Sequence, residues 1–135
     1  MDYVALRAEL DDSGGHPITG PYSLDDATAV DELNAVNLTR TKSSVSGADA
    51  FQVTDSGEFD VLTDVARSEW LSLCAIDNVD PSNGTPAAAT ASRLFGGGST
   101  TLANLIAFRT ENISRAVELG FGVIVIGDVQ NARAL

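Results

Sequence analysis

Cysteine, histidine and basic residues are all scarce in this chain of 135 residues. Cys74 is the only cysteine, which excludes an intrachain disulfide and a thiolate metal cluster within one chain. His16 is the sole histidine and sits in a Gly/Pro-rich loop. It has no second histidine at ligand spacing, and no local motif supplies a positioned serine for Ser–His–Asp chemistry. No apolar run approaches the roughly 20 residues that span a bilayer. Met1-Asp2-Tyr3-Val4 lacks the basic and then apolar pattern of a secretory signal, so a soluble protein folded in a bacterial cytoplasm is expected. Lys and Arg total 8 against 19 Asp and Glu. Phosphate binding needs clustered bases, so specific nucleic-acid binding is not expected.

What is present is apolar content, 44% of the chain, enough for a single domain with one core. Charge is unevenly placed. Residues 1–80 hold sixteen acids and four bases, whereas residues 81–135 hold three acids and four bases. The acidic part reads as solvated surface, or as the lining of a path that DNA passes without sticking. The near-neutral end, rich in Leu, Ile, Val and Gly, is the better candidate for protein contact.

Pattern and capping signals predict helices throughout. Residues 2–10 read as a short helix, residues 11–21 as a loop, and Ser23 as a cap for a helix to about Asn37. The polar and basic residues 38–45 read as a connection. Ser46 opens a short helix, and a turn or single helical turn follows around Phe59, Val61 and Leu62. Thr63 caps residues 64–76, whose Val65, Trp70, Leu73 and Cys74 can share one broad face. Thr85-Pro86 is a strong helix start, and Gly96-Gly97-Gly98 is its stop. Ser99 or Thr100 caps the longest helix, to about Leu119, with Leu102, Leu105, Ile106, Arg109, Ile113, Ala116 and Val117 as an amphipathic stripe. Gly120 suits a left-handed cap. Residues 123–126 are short and β-prone, and residues 128–134 close as a last helix. The fold class expected is all-α, a compact bundle of about six or seven short helices with an extended C-terminal segment. Residues 1–120 form the helical domain, and residues 121–135 a docking segment of the same domain.

Each motif with chemical potential has a simpler account. Gly96-Gly97-Gly98-Ser99-Thr100 follows a helix rather than a strand and lacks the lysine of a phosphate-binding loop, so it reads as a corner. Asp77-Asn78-Val79-Asp80 with Asn83-Gly84 lacks the alternating ligands and terminal glutamate of a calcium loop and reads as a capped turn. Asp11-Asp12 and Asp25-Asp26 are explained by charges at helix ends. Cys74, beside Leu71 and Leu73, reads as a buried, inert thiol. Glu111 and Arg115 have the i,i+4 spacing of a helix pair. Arg109 projects toward the apolar stripe, which suits an interfacial arginine. No catalytic residue, cofactor or metal is expected.

Several stretches carry a family likeness. They are Trp70-Leu71-Ser72-Leu73-Cys74, Val79-Asp80-Pro81, Leu94-Phe95-Gly96-Gly97-Gly98-Ser99-Thr100-Thr101, Ile113-Ser114-Arg115-Ala116-Val117-Glu118-Leu119-Gly120-Phe121-Gly122 and Gly127-Asp128-Val129-Gln130-Asn131-Ala132-Arg133-Ala134. Pro21-Tyr22-Ser23-Leu24-Asp25-Asp26-Ala27 with Asp31-Glu32-Leu33-Asn34 adds an amino-terminal block. Together they resemble a family of small virion structural proteins of long-tailed bacteriophages. The loop at residues 12–21 departs from the family pattern.

The resemblance implies a head-to-tail connector, an adaptor or head-completion protein that forms a ring of about twelve copies between portal and tail. Its partners would be the portal and the next connector or tail protein, with DNA passing through the ring and no membrane involved. The expected contact residues are Arg109, Phe121, Val123, Ile124, Val125, Ile126, Val129 and Leu135. A capsid-decorating or tail-associated protein is the alternative, and an assembly factor or small enzyme comes behind it.

Overall fold

Side-chain acceptors placed just ahead of apolar runs set where the helices begin. The computed structural model describes residues 1–12 and 21–135. In chain order these form α1 (Tyr3–Leu10), α2 (Asp26–Asn34), β1 (Val36–Thr41), α3 (Gly47–Gln52), α4 (Ser56–Asp60), α5 (Asp64–Cys74), α6 (Pro86–Phe95), α7 (Thr100–Arg109), β2 (Thr110–Ser114), α8 (Arg115–Glu118) and α9 (Ile126–Arg133). Asp2, Asp25, Ser46, Asp55, Thr63, Thr85, Ser99 and Ser114 each accept a hydrogen bond from a first-turn N–H of the helix that follows. Each such bond satisfies a donor that the helix cannot satisfy itself.

The all-α expectation is overturned: β1 and β2 pair as a two-stranded antiparallel sheet, and the fold is mixed. The helix expected to reach Leu119 stops at Arg109. Its apolar spacing continues through residues 110–117, but the backbone does not. The Thr110 hydroxyl donates to the Ile106 carbonyl at 2.7 Å, and the Lys42 N–H donates to the Arg109 carbonyl at 2.7 Å. Lys42, the residue just after β1, has taken an acceptor that a longer helix would have used. At the other edge, α2 ends at Asn34, and Val36, Leu38 and Arg40 alternate with Asn37, Thr39 and Thr41 in β1, the period of a strand.

Packing divides the described chain into two units, Met1–Thr39 with Asn112–Leu135, and Arg40–Glu111. The first unit's core joins Leu6 and Leu10 of α1, Tyr22, Ala29 and Leu33 of α2, Ala116 of α8, Ile124, and Val129 and Ala132 of α9. The expected extended C-terminal segment is therefore not extended. Ile124, Val129 and Ala132 are needed to close this core, which burial of apolar surface favours over exposure. Glu9 is only 8% exposed in it and receives Arg115 through two nitrogens at 2.8 and 3.0 Å, with the Tyr22 hydroxyl donating at 2.7 Å. Arg115 also donates to Glu118 at 2.9 Å, and Glu111 pairs with Arg40 instead. The helical Glu111–Arg115 pairing is absent because residues 110–114 are a strand.

The second unit packs Trp70 and Cys74 of α5 against Ala91 of α6, with Leu102 and Leu105 of α7 beside them. Trp70 meets Phe95 edge to face at 5.0 Å, a favoured aromatic geometry, and its indole N–H donates to the Thr54 hydroxyl at 3.1 Å. Gly47 lets α3 begin directly against the end of α5: a Cβ there would lie 2.6 Å from the Cys74 carbonyl oxygen. Val65, expected on the same face as Trp70, is exposed instead. Among the described residues, no helix is long and apolar enough to cross a membrane.

Candidate functional site

The residues singled out from the sequence separate into buried and presented groups. Ile124 and Val129 are interior, and Phe121 packs partly buried against them. Val123 (79% exposed), Val125 (56%), Ile126 and Leu135 face outward. The backbone that carries them is held. The Asn34 side-chain amide donates to the Ile124 carbonyl at 2.7 Å and accepts from the Ile124 N–H at 3.0 Å. The Asp128 carboxylate accepts from the Val125 N–H at 3.1 Å. Upstream, Gly120 at φ +80° ends α8, with its N–H on the Val117 carbonyl and the Phe121 N–H on the Ala116 carbonyl. That pair of hydrogen bonds is the left-handed helix stop expected of Gly120. The outcome is a fixed stretch that buries Ile124 and presents Val123 and Val125 on either side of it.

Arg109 belongs to the second unit. It lies at a pocket of about 150 Å³ whose lining is mainly apolar: Val45, Ala50, Trp70, Leu73, Cys74, Ala88, Ala91, Leu102, Leu105 and Phe108 contribute. A dry space of that size accepts one benzene-sized group. Burial pushes the Cys74 thiol in its wall up to about 11, which keeps it protonated and unreactive at neutral pH.

Charge around that pocket is unusual for this chain. Arg7, Arg40, Arg67, Arg93, Arg115 and Arg133 each reach a carboxylate. Among the described residues, the two basic side chains without a carboxylate are Lys42 and Arg109. The Lys42 ammonium lies 4.9 Å from the Phe108 ring centre, and Arg109 donates to the Pro81 carbonyl at 3.0 Å. Sequence reasoning named Arg109 but missed the pocket, Lys42's place and Trp70's part in it. Pockets arise between helices distant in sequence, and no local spacing encodes them.

A second feature was also missed. Leu24, 93% exposed, immediately precedes the α2 cap Asp25. An apolar residue there ordinarily packs back onto the first turn of its helix. Leu24 does not. Its backbone is nevertheless fixed: Arg133 donates to the carbonyls of Leu24, at 2.9 Å, and of Ser23, and pairs with Asp26 at 2.5 Å. Ser23, expected as the cap, accepts from the Asp25 N–H instead, and Asp25 caps the helix.

The remaining candidates take structural roles. Thr100 and Thr101 N–H groups at the start of α7 both donate to the Glu58 carboxylate, at 2.9 and 2.6 Å, so the glycine corner already holds an anion of the chain's own. Hydrogen bonds from Thr101, side chain first, keep the Glu58 carboxyl below its ordinary value. Asp80 accepts from the Ser82 N–H at 2.9 Å in a turn, and Asp11 pairs with Arg7 at 2.5 Å. No group of three or more metal-capable side chains forms among the described residues, and His16 lies outside them. Comparison with known proteins returns nothing to set beside these sites: no family model, no curated protein and no solved structure matches the chain.

Proposed function

We propose that this chain is a structural protein of a long-tailed bacteriophage virion, a head-to-tail connector that assembles as a ring of about twelve copies between portal and tail. The sequence resemblance supplies the virion setting. The observation that carries the docking role is the held stretch around Ile124, from which Val123 and Val125 project into solvent. An apolar pair fixed outward by hydrogen bonds is suited to burial against another protein, with little ordering cost on contact. The action is geometric: subunits bury apolar surface against their neighbours, and residues 121–135 present side chains to the portal or the next ring. Acidic surface faces solvent or the DNA channel, where like charge keeps DNA from adhering. The role assigned involves no catalytic step, cofactor or metal.

A reconstruction of the tail vertex of the particle, made without imposed symmetry, tests the reading. A ring between portal and tail, with Val123 and Val125 at its contact, is the expected result. Density on the capsid lattice or along the tail replaces the connector with a decorating or tail-associated protein. Absence from the particle makes it an assembly factor. Val123→Asp with Val125→Asp should leave the fold intact by circular dichroism and abolish incorporation.

A further inference from the structure

We infer that the pocket of the second unit receives Leu24 from another copy of this chain, with the carboxylate of Asp25 meeting Lys42 and Arg109. The inference rests on the ring reading and supplies its subunit-to-subunit contact. Three independent observations converge on it. The pocket has room for one side chain of leucine size and an apolar lining. Arg109 lines it and Lys42 lies over the ring of Phe108 in its wall, the two basic side chains that lack a carboxylate among the described residues. Leu24 is the most exposed large apolar residue described, and two aspartates follow it.

Presentation supports the match. Arg133 and Glu32 hold the Ser23–Leu24 backbone through the Ser23 and Leu24 carbonyls and the Ser23 N–H, so the protruding leucine is already ordered. Asp25 accepts from Thr28 through both its N–H and its hydroxyl at one oxygen, which leaves the other oxygen for a cation. Val65 is also exposed beside an aspartate, but Asp64 is already paired with Arg67. A contact between different faces of two copies is heterologous, the kind that closes a ring or runs on as a chain.

Complementary variants of the full chain test this. Leu24→Asp removes the protrusion and keeps the pocket. Lys42→Glu with Arg109→Glu reverses the rim and keeps the protrusion, and Ala88→Phe fills the pocket from α6 without changing a charge. Circular dichroism checks that each variant folds. Sedimentation and native mass spectrometry should show the unaltered chain associating with itself as concentration rises. Each variant alone should associate about tenfold more weakly or less. Mixing Leu24→Asp with either pocket variant should restore one contact and give a dimer that grows no further, accompanied by a change in emission from Trp70, the only tryptophan.

Self-association unchanged in every variant overturns the inference and leaves the ring standing on some other contact. A mixture that stays monomeric overturns it as well. The expected dimer together with unaltered chains that form only open filaments upholds the contact and removes the ring.

Discussion

At the residue scale, two positions are tied to their residue type by what surrounds them. The missing Cβ of Gly47 faces backbone atoms, the carbonyls of Cys74 and Ile76, rather than a side chain that can turn aside. Gly47→Ala should therefore force α3 away from α5 and destabilise the second unit by about 1–3 kcal/mol, read as a lower urea midpoint. The other is Tyr22. Its hydroxyl is raised above its ordinary 10.0 first by burial and then by the hydrogen bond to Glu9 and that carboxylate's charge. The folded phenol thus keeps its proton at a pH where the unfolded one releases it. That stabilisation is complete below pH 10 and fades as pH climbs beyond it. Tyr22→Phe should be less stable at neutral pH by about 1–3 kcal/mol, through the lost bond to a charged group, and should show a shallower alkaline decline.

At the element scale, the clearest case is the corner between α6 and α7. Glu58, from α4, takes both leading N–H groups of α7, and the Thr101 side chain first, then those N–H groups, depress its carboxyl below 4.5. Its contribution is present above that value and disappears as pH falls through the lowered one. Glu58→Gln should flatten the acid limb of a stability profile measured by thermal melting, with little change in alkali. This pairing spans 42 positions, which is why the sequence identified the glycine corner and the Ser99 cap but not the anion that fills it. The same division holds elsewhere. Thr63, Thr85-Pro86, Ser46 and Gly120 were legible because caps act over three or four residues. Both strands were not. Leu105, Ile106, Arg109, Ile113 and Ala116 keep helical spacing across β2, and only pairing with β1 reveals the break. Of the candidate contact residues, Val123, Val125, Ile126 and Leu135 are exposed, while Ile124 and Val129 are interior. Hydropathy reads alike for an apolar residue that faces a core and one that faces a partner.

At the scale of the whole molecule, the two units differ in how they are drawn from the chain. Arg40–Glu111 is continuous and owns its core of Trp70, Cys74 and Ala91. Expressed alone, residues 40–111 should keep helical circular dichroism and a shielded Trp70 emission. Residues 1–39 alone should not fold, because Leu6, Leu10 and Leu33 close only over Ile124, Val129 and Ala132. For the same reason, removing residues 121–135 should unfold the first unit rather than merely detach a docking arm. Surface substitution at Val123 and Val125 is accordingly the cleaner probe of docking.

The interrupted first unit also imposes a timetable. On the ribosome, α1 and α2 emerge early, yet their core partners α8 and α9 come only after the entire Arg40–Glu111 insert has been synthesised. Elongation at about 5–20 residues per second makes that a wait of seconds, long compared with helix formation and local collapse. During it, Leu6, Leu10 and Leu33 stand exposed while the insert folds ahead of them. The core around Leu6, Leu10 and Leu33 therefore closes only once α9 has supplied Val129 and Ala132.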